Sequence, residues 1–285
     1  EMYDGLFLSA PPVFDVVLSN PPFGGKEGKE AQTKFDFKTG ATQVLFLQHV
    51  LASLGPKGRC GIVLDEGVLF RTNESAFVDT KRKLLDSCDL YCIVSLPGGV
   101  FTAAGAGVKT NLLFFRRGKP TAKIWYYDLS DIKVGKRTPF TMDRFTEFFK
   151  LLPKRGDSDR SWTVDFVARK AKAREEAAPF HAQAKEKEQA ANQWKDELKE
   201  LKKAKPVDKA AVEEAEAKAK EQSKESRELK GKAEAIENAV YDLKAVNPNA
   251  QSNEDTRTPS QLLKLIDEKG REIADAVKAL QKIRR

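Results

Sequence analysis

The sequence predicts an α/β domain with a mixed sheet over residues 1–166, followed by a region of long helices over residues 167–285. The first part contains short runs of Val, Ile, Leu and Phe that are broken by turn residues, whereas the second is dominated by Ala, Lys, Glu and Gln. Short apolar runs that alternate with helical patterns are typical of a sheet covered by helices. A chain of 285 residues is long enough for two such domains.

Five strands and two helices are predicted in the first domain. In chain order these are strand 14–19, helix 42–54, strand 59–64, helix 75–87, and strands 90–96, 109–116 and 123–127. The first strand is mostly apolar, so it is expected to be buried in a parallel sheet. The Gly55-Pro56 pair ends the first helix. The strands at 90–96 and 109–116 are joined by a Gly-rich loop without a helical pattern, which predicts an antiparallel pair added at one side of the sheet.

Three long helices are predicted in the second domain. Apolar and small residues recur at alternating spacings of three and four over 180–201, 212–243 and 262–283. A sustained repeat of 3.5 residues is the signature of coiled-coil packing.

The ends of these helices carry stop and start signals. Lys205-Pro206 and Asn247-Pro248 break the pattern, Asp208 is predicted to cap the second helix, and Thr258 with Gln261 is predicted to form a capping box. Such short breaks favour an antiparallel hairpin. Because an Ala-rich seam buries little area, a partner is expected to complete it, and a self-contained three-helix bundle is the alternative.

Composition excludes several classes of site. Cys60, Cys88 and Cys92 are odd in number and lack CxxC spacing, so neither a disulfide framework nor a zinc site is predicted. His49 and His181 are isolated in the sequence, which argues against histidine triads and metal centres.

Charge and hydropathy restrict the location and the partners. There is no signal peptide and no apolar run of the roughly 18 residues that cross a bilayer, so a cytoplasmic protein without membrane contact is expected. The formal net charge of +8 is compatible with a nucleic-acid partner and equally with plain solubility.

The tetrapeptide Asn20-Pro21-Pro22-Phe23, called the NPPF turn below, directly follows the first predicted strand. Ligands of open α/β sheets bind at the carboxyl ends of strands. Because proline lacks an N–H and holds the backbone extended, the Asn20 side chain and nearby carbonyls are left as acceptors for a planar amino group. Phe23 can stack on a base, which must first be flipped out of a duplex. The alternative is a rigid turn without chemistry.

The loop over residues 24–40 interleaves basic and aromatic residues, with Phe35 and Phe37 among its lysines. The candidate DNA-contacting residues are Lys26, Lys29, Lys34 and Lys38. Such a loop can act as a flap over nucleic acid, since cations meet phosphates and aromatic rings meet bases. A solvated surface loop is the alternative.

Together with the NPPF turn, the segments 43–49, 58–64, 67–70, 95–101 and 107–115 carry a wider resemblance. The sequence resembles the amino-directed, S-adenosyl-L-methionine-dependent methyltransferases. More narrowly, it resembles the modification subunit of Type I restriction–modification systems, an N6-adenine DNA methyltransferase. The resemblance covers most of 13–170 and, more weakly, the helical tail.

This resemblance implies a Rossmann-like sheet, S-adenosyl-L-methionine as cofactor and N6-methyladenine in DNA as product. Asn20 and the Pro21 carbonyl would accept hydrogen bonds from adenine N6, Phe23 would stack on the flipped base, and Pro22 would shape the turn. The implied partners are DNA, a specificity subunit that docks on the C-terminal helices, a second modification subunit and, as a further candidate, a restriction subunit.

One departure from the family concerns the cofactor. The family's Gly-rich cofactor turn and strand-end acid precede the NPPF strand, and only 19 residues precede Asn20 here. The chain is therefore expected to be a C-terminal fragment, inactive alone, whose cofactor-binding residues are unknown. Two alternatives remain: a methyltransferase that acts on a protein glutamine or an RNA base, and a non-enzymatic coiled-coil interaction module.

Overall fold

The computed structural model describes residues 13–101, 107–135, 137–249 and 258–283, and in the last segment it leaves out the side chains of 276 and 278–283. The first twelve residues of the expected α/β domain therefore lie outside the described part. The chain divides between Asn249 and Ala250 into two compact units. The division expected between residues 166 and 167 stays a prediction.

A six-stranded mixed sheet organises the first unit, in the order β1-β2-β4-β3-β5-β6. The strands are β1 Phe14–Ser19, β2 Leu54–Asp65, β3 Cys88–Ser95, β4 Thr110–Arg117, β5 Lys123–Asp128 and β6 Ser161–Asp165. β1 runs parallel to β2, and β3 runs parallel to β5. β4 is antiparallel to both of its neighbours, and β6 is antiparallel to β5. The predicted mixed α/β sheet with an antiparallel hairpin is confirmed.

The position of the hairpin differs from the prediction. β3 and β4 are antiparallel as expected, but β4 lies in the centre, between β2 and β3, and not at one side of the sheet. The reason is that β4 bonds along both of its edges, with Asn111 opposite Leu64 on one side and Ser95 on the other. The Gly-rich connection allows β3 and β4 to pair, but it does not determine which strand pairs with the other edge of β4.

The expected burial of the first strand is wrong. β1 is an edge strand, and Val16 and Leu18 are 48% and 81% exposed. An apolar sequence predicts burial only when both faces of the strand are covered. Of the residues of β1, Val17 packs against the core, whereas the alternate side chains Val16 and Leu18 project from the other face.

The helices of the first unit are α1 Lys29–Gln32, α2 Thr42–Ser53, α3 Glu66–Phe70, α4 Ser75–Ser87, α5 Thr146–Leu151, α6 Phe166–Lys203 and α7 Lys209–Ala239. α2 and α4 match the predicted helices. They pack on one face of the sheet, where Leu47 and Leu84 belong to the same buried core as Ile62. The opposite face carries a second core around Trp125 and Phe148, whose rings stack at 5.7 Å.

α6 and α7 form the predicted antiparallel hairpin. Ser226 Oγ donates to the Ala184 carbonyl at 2.8 Å, and Lys187 pairs with Glu225 at 2.7 Å. The two helices run in opposite directions. Lys202 lies farther along α6 than Lys187, but its partner Glu216 lies earlier on α7 than Glu225. The buried seam consists mostly of alanines: Ala173, Ala177, Ala184, Ala191, Ala215, Ala219 and Ala233. A supercoiled arrangement stays a prediction.

The hairpin is joined to the sheet by a shared core. Phe166, Tyr241 and Leu243 are buried together with α2 and α4. Asp208 Oδ1 accepts from the backbone N–H groups of Ala210 and Ala211, which confirms the predicted cap.

The second unit contains helix α8, Pro259–Ile283. Its capping box is confirmed: Gln261 Oε1 accepts from the Thr258 N–H at 2.7 Å, and Thr258 Oγ1 accepts from the Gln261 N–H at 3.3 Å. Large apolar side chains on it are exposed: Leu263, Ile266, Ile273 and Val277. Their spacing of three, seven and four residues places them on one face.

Candidate active site

The NPPF turn lies at the carboxyl end of β1, beside the end of β2 at Asp65. Pro21 is buried and Phe23 is half-buried, whereas Asn20 is exposed. Within the described part of the chain, the Asn20 amide has no hydrogen-bond partner, so its oxygen is available to an incoming donor. The turn therefore presents a free acceptor on a backbone that two prolines hold rigid.

A second aromatic ring faces Phe23. The ring of Phe101 lies 5.0 Å from that of Phe23, with an angle of 55° between the planes. Phe101 comes from the segment after β3, so the two rings meet only in the folded chain. Phe101 is not among the site residues predicted from the sequence. Its sequence signal is its place in segment 95–101, which carries the family resemblance.

The acidic residues at the end of β2 are engaged within the protein. Asp65 accepts from the Val68 N–H at 2.9 Å and caps α3. Glu66 pairs with Lys109 at 3.1 Å and lies 3.8 Å from Lys244. Within the described part of the chain, these contacts give both carboxylates structural roles.

The loop 24–40 is fixed to the body of the protein. The Gln48 amide accepts from the Phe37 N–H at 3.0 Å and donates to the Phe37 carbonyl at 2.9 Å. Thr42 Oγ1 donates to the buried carboxylate of Glu27 at 2.9 Å. Asp36 pairs with Lys83 on α4. The loop is therefore anchored at both its start and its middle.

The four candidate lysines lie apart along this loop. Lys26 is next to the NPPF turn and Lys29 begins α1, while Lys34 and Lys38 are exposed farther along. Of the four, Lys26 is the nearest to Asn20 in the sequence. Contact with DNA by any of them stays a prediction.

A buried lysine holds the segment that follows β2. Lys81 is 2% exposed, and its Nζ donates to the carbonyls of Leu69 at 2.7 Å and Arg71 at 2.8 Å. Burial lowers the pKa of Lys81 to about 7, and the nearby Asp242 carboxylate opposes this shift. The Leu243 N–H donates to the same Leu69 carbonyl at 3.1 Å. Segment 69–71 is therefore held from α4 and from the chain after α7.

The isolated histidine His49 has a structural environment. It lies half-buried on α2, and burial lowers the pKa of its imidazole. The three cysteines are free and buried, and burial raises the pKa of Cys60 and of Cys92 to about 12. These thiols are protonated at neutral pH and are poor nucleophiles.

Comparison with known proteins identifies the family of this site. A profile of the N-6 DNA methylase family matches residues 7–205, which include the NPPF turn, Phe101 and the first helix of the hairpin. No helix in the described part of the chain is long and apolar enough to cross a membrane.

Similar proteins agree with this match. The EcoKI type I restriction enzyme methylase subunit of Escherichia coli K12 is 38% identical over 148 residues, 48% of this chain and 27% of that protein. The EcoEI methylase subunit of Escherichia coli is 43% identical over 116 residues, 40% of this chain and 23% of that protein. The chain thus spans about a quarter of the length of these relatives.

A solved structure extends the likeness over the hairpin. A chain from a structure on the complex assembly and conformational transition of the type I R-M system matches at 32% identity with a TM-score of 0.55. The match covers 95% of this chain and 45% of that chain. The resemblance seen in the sequence is confirmed, and this chain belongs to the N-6 DNA methylase family.

Proposed function

We propose that this chain forms the acceptor-base part of the modification subunit of a type I restriction–modification system, a site-specific adenine methyltransferase. The reaction transfers a methyl group from S-adenosyl-L-methionine to N6 of adenine in DNA. One observation carries the proposal: the NPPF turn presents an exposed, unpaired Asn20 amide at a strand end, beside the Phe23–Phe101 ring pair. The match of this region to the N-6 DNA methylase family supports it.

The chemistry follows from the properties of the acceptor amine. The lone pair of adenine N6 is delocalised into the ring, so the amine is a weak nucleophile. When the Asn20 Oδ1 and the Pro21 carbonyl accept hydrogen bonds from both N6–H groups, they favour a pyramidal nitrogen whose lone pair can attack. Phe23 holds the ring plane by stacking. S-adenosyl-L-methionine would supply the electrophilic methyl group and leave as S-adenosyl-L-homocysteine, and the proton displaced from N6 would pass to solvent.

DNA is favoured over the alternative substrates. The family profile and the curated relatives concern DNA methylases and restriction enzymes, whereas no observation specifically favours a protein glutamine or an RNA base. The pure interaction module would not require a free amide at a strand end. DNA must be distorted to deliver a flipped adenine to this turn, and the lysines of loop 24–40 are the proposed contacts.

The helices are the proposed sites of subunit assembly. α8 exposes an apolar face, and exposed apolar patches mark interaction sites. We assign this face and the α6–α7 hairpin to a specificity subunit, with a second modification subunit and a restriction subunit as further partners in the cytoplasm. The similar chain from a type I R-M assembly supports this assignment.

The decisive experiment is Asn20→Ala in the intact protein that carries this chain, assembled with its partner subunits. N6-methyladenine in duplex DNA, measured by mass spectrometry, should fall by about 100-fold or more, because a lost transition-state hydrogen bond costs roughly 10² to 10³ in rate. Asn73→Ala, at an exposed residue outside the turn, is the matched control.

The substrate classes are separated in the same assay. RNA and protein substrates should receive no methyl group from the unmodified assembly. An Asn20→Ala assembly that methylates DNA at the normal rate would refute the proposal. Methylation of RNA or of a protein glutamine in preference to DNA would show that DNA is not the preferred substrate.

A further inference from the structure

We propose that a cavity directly behind the NPPF turn binds one phosphodiester group of the DNA strand, next to the adenine that is methylated. The inference rests on the proposed function, because it takes DNA as the substrate. The cavity has a volume of about 360 Å³, and Gly24 and Gly25, which follow Phe23, form part of its wall. A ligand there would lie beside the base-binding turn.

The first group of donors comes from the start of α2. Gly40, Ala41 and Thr42 line the cavity, and α2 begins at Thr42. The N-cap residue Ala41 has no side chain that could accept a hydrogen bond from the first turn. The first N–H groups of a helix have no intrahelical partner and carry partial positive charge, which favours an anion.

An independent observation points to a ligand at the same place. Gln43 lines the cavity and is 3% exposed. Its Oε1 accepts from the Asp65 N–H at 3.0 Å, which fixes the orientation of the amide. Its Nε2 is buried and has no hydrogen-bond partner among the residues that the structure describes. Buried donors are rarely left unpaired, and a phosphate oxygen would satisfy this one.

Two basic and two acidic side chains line the cavity wall. Lys26 and Arg71 line the cavity together with Asp65 and Glu74. The Asp65 carboxylate accepts from α3, and Glu74 pairs with Arg71 at 3.2 Å. The formal charges of these four groups cancel, and the buried Glu27 carboxylate that accepts from Thr42 Oγ1 adds a negative charge at the start of α2, so recognition depends on directed donors. Such a site suits a singly charged phosphodiester better than a doubly charged phosphate.

Glycines let the ligand approach the backbone closely. Gly24 and Gly25 have φ values of +76° and +99°, which L side chains rarely adopt. A Cβ on Gly25 would lie 2.9 Å from Thr42 Oγ1, so a side chain there would collide with the start of α2. The donors and the available space therefore favour a phosphodiester as the ligand of the cavity. The adjacent base-binding turn indicates that this phosphodiester belongs to the DNA substrate.

The test combines a protein variant with modified DNA. Gln43→Glu keeps the shape and the acceptor for the Asp65 N–H, but replaces the free donor with an oxygen that repels phosphate. Duplexes carry a single neutral methylphosphonate at each position within three nucleotides of the target adenine. The affinity of the intact assembly is measured at constant salt.

At one position, the methylphosphonate should weaken binding by the unmodified assembly by about 10-fold, as expected for one charge-assisted hydrogen-bonded contact. Gln43→Glu should weaken binding of normal DNA by a similar factor and show no further loss with that methylphosphonate. Gln48→Glu is the control, because it makes the same change on α2 in an amide that pairs with Phe37. It should keep the normal methylphosphonate sensitivity.

A second variant tests the cation independently of buried Gln43. Lys26→Gln should reduce the slope of log affinity against log salt by about 0.9, the value for one phosphate contact. Lys57→Gln, at an exposed residue of β2 that does not line the cavity, should leave the slope unchanged.

Three results would overturn the inference. If Gln43→Glu and every methylphosphonate changed DNA affinity independently of each other, the cavity would not bind a DNA phosphate. If Gln43→Glu were instead coupled to an abasic nucleotide next to the target adenine, the cavity would bind a base. Stabilisation by inorganic phosphate alone, lost in Gln43→Glu without any change in DNA affinity, would make it a site for a free anion. Failure of the proposed function is distinct, since the unmodified assembly would then form no N6-methyladenine.

Discussion

At the scale of single residues, the site depends on a contrast within one turn. Pro21 is buried and anchors the turn, while the neighbouring Asn20 amide is exposed and has no hydrogen-bond partner in the described part of the chain. Anchoring reduces the conformational entropy that an acceptor would otherwise lose on binding. The aromatic wall depends on a more distant residue, because Phe23 reaches Phe101 across the sheet edge.

Replacement of the second ring gives a prediction at this scale. Phe101→Ala should lower kcat/KM for DNA methylation by about 10-fold, because Phe23 loses an aromatic contact worth roughly 1 kcal/mol and some apolar burial. Steady-state kinetics of the intact assembly measure this. Phe149→Ala, at a half-exposed ring in α5, should change kcat/KM by less than about twofold. Equal effects of both changes would contradict a role for Phe101 at the site.

Lys81 gives a pH-dependent prediction. Its folded-state pKa is about 7 against an ordinary value of 10.5, so between these values the unfolded state binds more protons. Stability contributed by this group therefore rises with pH across that window. The unfolding free energy of the unmodified protein relative to Lys81→Met should increase by about 2 kcal/mol from pH 7.5 to 9.5.

Urea unfolding at the two pH values measures this difference. Lys57→Met, at an exposed lysine, should show a difference from the unmodified protein that does not change with pH. If the Lys81→Met difference were equally flat, the lowered pKa would be contradicted.

At the scale of elements, the hairpin of α6 and α7 illustrates how small residues set the distance between helices. Ala177 and Ala233 are fully buried in the seam, and the Ser226 hydroxyl reaches the Ala184 carbonyl across it. Ion pairs such as Lys230–Glu188, at 2.9 Å, lie on the exposed flanks. Exposed pairs contribute little, so the close fit of the alanines is the main source of stability in the hairpin.

A larger side chain in this seam should therefore be destabilising. Ala233→Leu should lower the unfolding free energy by about 1–3 kcal/mol, because added methylene groups force the two helices apart. Chemical denaturation followed by circular dichroism measures the change. Ala235→Leu lies two residues away on the exposed face of the same helix and should be nearly neutral. Equal stability of the two variants would show that the seam is loosely packed.

At the scale of the whole molecule, two surfaces expose apolar side chains to solvent. The edge strand β1 exposes Val16 and Leu18, and α8 exposes a face that includes Ile266 and Ile273. Edge strands also present unpaired backbone groups, which favour association. The first unit and the second unit each have their own internal contacts, since the chain divides between Asn249 and Ala250.

Removal of residues 250–285 tests this division. The melting temperature of the remaining unit should change by less than about 2 °C, because all described residues of its two cores precede residue 250. Binding to a specificity subunit, measured by titration, should become at least about 10-fold weaker, because the apolar face of α8 is lost. Unchanged affinity would contradict the assignment of α8 to assembly.

The local elements and the position of the NPPF turn follow from short stretches of the sequence. Helix α4 matches its prediction, Asp208 and the Thr258–Gln261 pair cap their helices as expected, and the NPPF turn follows a strand. These features depend on periodicity, on proline and on side chains that bond to nearby backbone, all of which act over a few residues. The separate match to the family rests on such local segments as well.

Which elements become neighbours depends on long-range packing in the folded chain. This packing placed β4 in the centre of the sheet, left β1 exposed at the edge and added β6, whose five residues lie at the predicted boundary. It also set Phe101 against Phe23 and left the Gln43 Nε2 unpaired beside a cavity. Such pairings join residues that are distant in the chain, and their choice depends on the packing of whole faces, which local periodicity does not encode.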